Sequence, residues 1–142
     1  MANICLTDFV IVGYKDSLEK LQNFLREVDS KAVEHTYTLY WALKDSNVKH
    51  YENIDTRASL VDATLVERKR RPLYTDDTDL RNFALIITTE SAWTAPIDMM
   101  EKLIEVLGLE EDTSVNLYAE EPGCDYYELR NPDRVFEIDI KV

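Results

Sequence analysis

The sequence predicts an α+β domain in which a mostly antiparallel sheet carries two helices on one face. Three observations predict it. Stretches that alternate apolar and polar residues are interleaved with two stretches whose apolar residues recur at helical spacing. Their order is strand, helix, strand, strand, helix, strand. That is the β-α-β-β-α-β order of the ferredoxin-like split unit, here with a helical insert after the first helix and an extra C-terminal β-hairpin. Finally, three glycines and four prolines in 142 residues are too few for the many tight turns of a sandwich or barrel. With 45% hydrophobic and 31% charged residues, the chain holds enough apolar material for one core, and 1–142 reads as a single domain.

The elements follow in order. Ile4 to Val12 reads as a strand bounded by Gly13, with Asp8 at an outward or edge position. Asp16, with Glu19 three residues later, has the spacing of a capping box, and Leu18, Leu21, Leu25 and Val28 form the apolar stripe of a first helix. Tyr37 to Lys44 leans towards a short helix, stopped by Asp45-Ser46-Asn47, and Val48 to Arg57 reads as a connection.

Ser59 to Arg70 is a strand that places Leu60, Asp62, Thr64 and Val66 opposite Val61, Ala63 and Leu65. It ends in the basic run Arg68-Lys69-Arg70-Arg71, and Pro72 to Arg81 forms a turn. Asn82 to Thr89 returns as the partner strand of a hairpin. Thr94 or Ala95 is placed to cap a second helix with Pro96 in its first turn, where no donor is lost. Ile97, Met100, Leu103, Ile104 and Leu107 form its stripe, Gly108 stops it, and Asp98, Glu101 and Glu105 lie on its outer face. Ser114 to Ala119 is a strand with Val115, Leu117 and Ala119 on one face. Tyr126 to Arg130 is a short strand, Asn131-Pro132-Asp133 is a turn, and Arg134 to Val142 alternates as a closing strand.

Charge narrows the partners. The net charge is −12, and residues 72–142 carry all of it, with five Lys/Arg against 17 Asp/Glu. Such a surface repels nucleic-acid phosphates and anionic membranes. The basic run therefore reads as a hairpin end near Asp76, Asp77 and Asp79, not as a nucleic-acid site. Two cysteines, Cys5 and Cys124, form neither a disulfide framework nor a zinc set. No stretch approaches transmembrane length, and the opening Met1-Ala2-Asn3-Ile4 lacks the features of a signal peptide, so the expectation is a cytoplasmic protein.

Chemistry-bearing motifs are sparse. His35 and His50 lack sequence partners, and the Asp76-Asp77-Thr78-Asp79 run lacks the glycine and distal glutamate of a calcium loop. No nucleophile set, metal trio or phosphate loop is present, so no catalytic residue, metal site or cofactor is expected. Two polar corners remain, one at Trp93 and one at Glu120-Glu121-Pro122-Gly123-Cys124. A ligand pocket there would use Trp93, Glu120, Glu121 and Tyr126. The plainer reading has Trp93 capping the core and one glutamate binding the backbone amides of a Pro-Gly turn. Neighbouring strand residues point to opposite faces, so the two glutamates need not converge. The acids around Cys124 work against a reactive thiol.

Glu90-Ser91-Ala92-Trp93-Thr94-Ala95-Pro96 resembles the T-A-W-x-P-P corner of the YubB ferredoxin-like family. Tyr118-Ala119-Glu120-Glu121-Pro122-Gly123-Cys124 resembles its Y-x-E-E-x-G strand end, and the opening Met1 to Cys5 with Gly13 is also similar. Thr94-Ala95 stand where the family has Gly or Ser and a first Pro, and Tyr126-Tyr127 where it often has an aromatic-Gly pair. The resemblance implies a ferredoxin-like fold and carriage by phages, plasmids and other mobile elements, with no established reaction. The function expected is a non-catalytic accessory protein that meets a protein partner through its acidic half. A small-ligand or enzymatic domain, an acidic nucleic-acid mimic and a homodimer paired at a sheet edge are the alternatives.

Overall fold

A computed structural model describes residues 4–31, 58–68, 82–92, 94–121, 123 and 126–136. The described elements are β1 (Ile4–Gly13), α1 (Lys15–Lys31), β2 (Ala58–Glu67), β3 (Phe83–Ala92), α2 (Ile97–Val106), β4 (Thr113–Glu121) and β5 (Tyr126–Arg130). The strands form one antiparallel sheet in the order β2-β3-β1-β4-β5. The α+β class, the antiparallel sheet and the two helices are thus as the sequence predicts. The Tyr37–Lys44 helix, both histidines, residues 69–71 of the basic run and the 72–81 turn lie outside the described residues.

One core holds the layers together. The α1 stripe (Leu18, Leu21, Leu25, Val28) and the α2 stripe (Met99, Met100, Leu103, Ile104) bury against the same inward strand residues, among them Phe9, Ile11, Leu85, Ile87 and Leu117. Both helices therefore cover one face of the sheet. Burying each large apolar side chain contributes roughly 1.5–3 kcal/mol. Polar side chains fasten the rim. Gln22 Nε2 donates to the Ala63 carbonyl at 3.0 Å, and Lys20 Nζ to the Leu107 carbonyl at 3.0 Å. Gly13 is needed where β1 meets the loop before β4, since a Cβ there would stand 2.6 Å from the Asp112 carbonyl oxygen. Gly108, at φ 71°, ends α2 in the left-handed region that glycine adopts freely.

Several local expectations change. Helix α1 begins at Lys15, so Asp16 lies inside its first turn and is not the cap. The N-cap of α2 is Pro96, without a side-chain cap, and neither Thr94 nor Ala95 serves. Met99 joins the buried stripe, while Ile97 and Leu107 are half-buried. A β-bulge between Leu60 and Asp62 leaves Val61 55% exposed and resets the phase of β2, so Leu60 packs on the core with Ala63 and Leu65. Asp8 does point outward, where it accepts from Thr88 Oγ1 at 2.9 Å, but β1 is central in the sheet.

The segment after β5 also differs. Residues 134–136 are not strand, and 137–142 lie outside the described residues. Asn131 Oδ1 accepts from the Val135 and Phe136 amides, which turns the chain onto the face opposite the helices. There Val135 and Phe136 cover Val10, Val12 and Ala84. Asn116, fully buried, pins this turn. Its side chain donates to the Val10 carbonyl and to Asp133 Oδ2, and accepts from the Asp133 amide.

Candidate functional site

The two expected corners begin later than the sequence suggests, because both strands run on. Glu90, Ser91 and Ala92 belong to β3, and Glu120 and Glu121 belong to β4. Strand alternation then separates the glutamates. Glu120 stands half-exposed on the face away from the helices, where Tyr118 Oη donates to its Oε2 at 3.2 Å. Glu121 lies on the helix-covered face, 4% exposed. Its Oε1 accepts from the Gly123 amide at 3.1 Å, the role of a glutamate that shapes a turn. Its Oε2 is buried with no hydrogen-bond partner among the described residues.

Tyr126 pairs with Glu121 across the β4–β5 ladder and also faces inward, packed against the core. Its phenol donates to Glu128 Oε2. Burial, together with that carboxylate, pushes the phenol up to about 12. Of the four candidate ligand residues, Glu121 and Tyr126 therefore share a face, Glu120 is on the other, and Trp93 lies outside the described residues, as does Cys124.

Beside Glu121 the inner face is polar in a way the sequence reading missed. Cys5, Thr7, Thr89 and Ser91 are all buried there. Cys5 pairs with Ser91 and Thr7 with Thr89 across the β1–β3 ladder. The Cys5 thiol lies 3.8 Å from Thr7 Oγ1, and Ser91 Oγ donates to the Thr94 carbonyl at 2.7 Å, tying the strand end to the corner before α2. Thr89 Oγ1 is a second buried atom without a partner among the described residues. Burial raises the Cys5 pKa first. The Thr7 and Ser91 hydroxyls offset this in part, and the charges of Glu121 and Glu120 add to it. A thiol held this way is a poor nucleophile. The missed signal is the inward register of β1 and β3. Phe9, Ile11, Leu85 and Ile87 give way to Cys5, Thr7, Thr89 and Ser91 at the same end of the sheet.

The other face carries a different kind of surface. Leu6 lies between Glu90 and Glu120, and Glu120 is followed by Tyr127 in the next strand. One step along, Asp8 sits beside Tyr118, and Tyr118 beside Leu129. Ile4, Leu6, Tyr118, Tyr127 and Leu129 are all exposed, Tyr127 by 59%. The result is a band in which apolar side chains and carboxylates interleave. Among the described residues no group of three His, Cys, Asp or Glu side chains is placed to hold a metal ion, and no helix is long and apolar enough to cross a membrane. No protein-family model matches the chain, and no curated protein matches it either.

Proposed function

We propose that this chain is a non-catalytic accessory protein that docks the face of its sheet away from the helices on the basic surface of a protein partner. The observation that carries the reading is the band of Ile4, Leu6, Tyr118, Tyr127 and Leu129 interleaved with Asp8, Glu90 and Glu120. Contiguous exposed apolar residues with aromatics among them have the composition of interface cores. The carboxylates supply steering towards Lys and Arg and disfavour a second copy of the same acidic face. A DNA-binding partner would make the chain an acidic nucleic-acid mimic, and competition with DNA for that partner distinguishes this variant.

The proposal includes a finer fold and an origin. The ferredoxin-like β-α-β-β-α-β unit is supported by the element order and by helices on one face, with β5 added at the β4 edge. Membership of the YubB ferredoxin-like family and carriage on mobile elements rest on the sequence motifs, and a cytoplasmic location on the lack of any stretch of transmembrane length.

The test compares the wild-type chain with a Leu6→Asp/Tyr127→Asp variant as bait in host lysate. The expected result is a basic protein retained by the wild type at low salt, released at about 0.5 M salt, and absent with the variant. Equal retention by a variant with an unchanged melting temperature, or no salt-sensitive basic protein at all, contradicts the proposal.

A further inference from the structure

One cluster within the outward band is arranged more closely than the rest. Glu120 stands directly across the β4–β5 ladder from Tyr127, and Tyr118 precedes it by two residues on the same face of β4. Residues directly opposite in an antiparallel pair have their Cβ atoms only about 5 Å apart. Tyr118 Oη donates to Glu120 Oε2 at 3.2 Å, and the Tyr118 ring lies 6.4 Å from the Phe136 ring, centroid to centroid. The Glu120 hydrogen bond chiefly raises the Tyr118 pKa and the Tyr127 phenol adds to it, so both phenols lie near the one carboxylate. Among the described residues no Lys or Arg pairs with Glu120. Arg130, at the end of β5, alternates onto the other face and pairs with Glu101 and Glu128. The carboxylate beside the two exposed rings is therefore left without a counter-charge from the described part of the chain.

We propose that this cluster anchors the docking face by taking an arginine side chain of the protein partner, with the guanidinium on the Glu120 carboxylate and against the Tyr118 and Tyr127 rings. The inference rests on the docking reading above and names the residue which that reading leaves open. Chemistry separates arginine from lysine here. A guanidinium is planar and weakly hydrated, and it stacks on aromatic faces while its N–H groups fork onto a carboxylate. An ammonium is a compact, strongly hydrated point charge that gains less from a flat aromatic surface. Glu120 by itself would serve either cation, and the exposed rings beside it favour the planar one. Tyr118 is already held between Glu120 and Phe136, so little freedom is lost on contact. Tyrosine and arginine are also the residue types that recur as interface hot spots.

The experiment titrates hexaarginine and hexalysine peptides into the full chain at equal, low ionic strength, read by calorimetry. The two peptides carry the same charge, so diffuse attraction to a chain of net charge −12 acts on both alike. The expected result is about tenfold tighter binding of hexaarginine, a preference that falls below about threefold in Tyr127→Leu and in Glu120→Gln. Glu105→Gln, which removes the same charge from the exposed side of α2, keeps the full preference. Melting temperatures show that the variants are folded, and should one not be, the other is read alone. Equal binding of the two peptides overturns the inference, as does a preference undiminished in the folded variants. Either failure is distinct from failure of the docking reading. A basic protein still captured from lysate and released by salt then leaves docking without its arginine anchor. A preference that maps to Tyr127 and Glu120 with no protein captured keeps the arginine site and removes the docking.

Discussion

On the helix-covered face Phe9, Ile11, Leu85, Ile87 and Leu117 are completely buried. On the other face of the same strands, Leu6, Ile86 and Tyr118 are 47%, 37% and 39% exposed. The same three strands build both faces, so neither backbone geometry nor strand propensity explains the difference. What differs is cover. Two amphipathic helices close one side, while on the other, among the described residues, only the short 131–136 turn packs down, over Val10, Val12 and Ala84. A half-solvated antiparallel sheet ordinarily turns polar residues outward. Here the outward set keeps leucine, isoleucine and tyrosine among its carboxylates, and the proposed docking rests on that departure. Glu120 and Glu121 show the contrast at the scale of one peptide bond, the first at a solvated aromatic band and the second sealed inside.

The comparison can be broken most forcefully in the core. Phe9→Ala should destabilise the chain by about 3–5 kcal/mol, whereas Leu6→Ala should stay within about 0.5 kcal/mol of wild type, both read from urea unfolding. Similar losses at the two positions would mean that the faces are not distinct.

The next effect belongs to the turn that covers part of the other face. Asn116→Ala removes three hydrogen bonds to or from a buried side chain and should cost about 2–3 kcal/mol, with faster hydrogen exchange at the Asp133 amide. Unchanged exchange there would show that Asn116 does not hold the turn.

A smaller effect follows from pH. The Tyr126 phenol is raised from 10.0 to about 12, so the folded state binds its proton more tightly than the unfolded state does. That contribution to stability is fully present below about pH 10 and is lost as pH rises through about 12. Near-ultraviolet titration should find a late-ionising tyrosine that disappears in Tyr126→Phe. Smallest of all, Glu120→Gln should change stability by less than about 0.5 kcal/mol, because its carboxylate is half in water.

Much of the fold was legible because period-two and helical spacing are local signals. Leu18, Leu21, Leu25 and Val28 mark α1 without help from the rest of the chain, and Tyr126 to Arg130 is the observed β5, residue for residue. The departures occur where a distant contact overrides local pattern. The bulge at Val61 keeps β2 in register with β3, and no alternation rule announces it. Asn116 alternates onto the outward row of β4, opposite Leu117, yet the returning turn buries it. The 134–136 stretch alternates like a strand, but the Asn131 side chain takes the amides of Val135 and Phe136. At the candidate site, the opposite facing of the two glutamates follows from their adjacency alone. The buried company of Glu121 required knowing that β3 and β4 flank β1, which brings Ser91 and Glu121 to either side of Cys5.

Hydroxyl-radical footprinting with peptide mass spectrometry tests the two-faced sheet most directly, because it reads side-chain access residue by residue. Tyr127, Tyr118, Leu6 and Leu129 should be modified readily, while Phe9, Leu117 and the intrinsically reactive Met99 and Met100 stay protected until the protein unfolds. Ready oxidation of Met99 and Met100 in the folded chain, with Tyr118 and Tyr127 spared, would contradict the account.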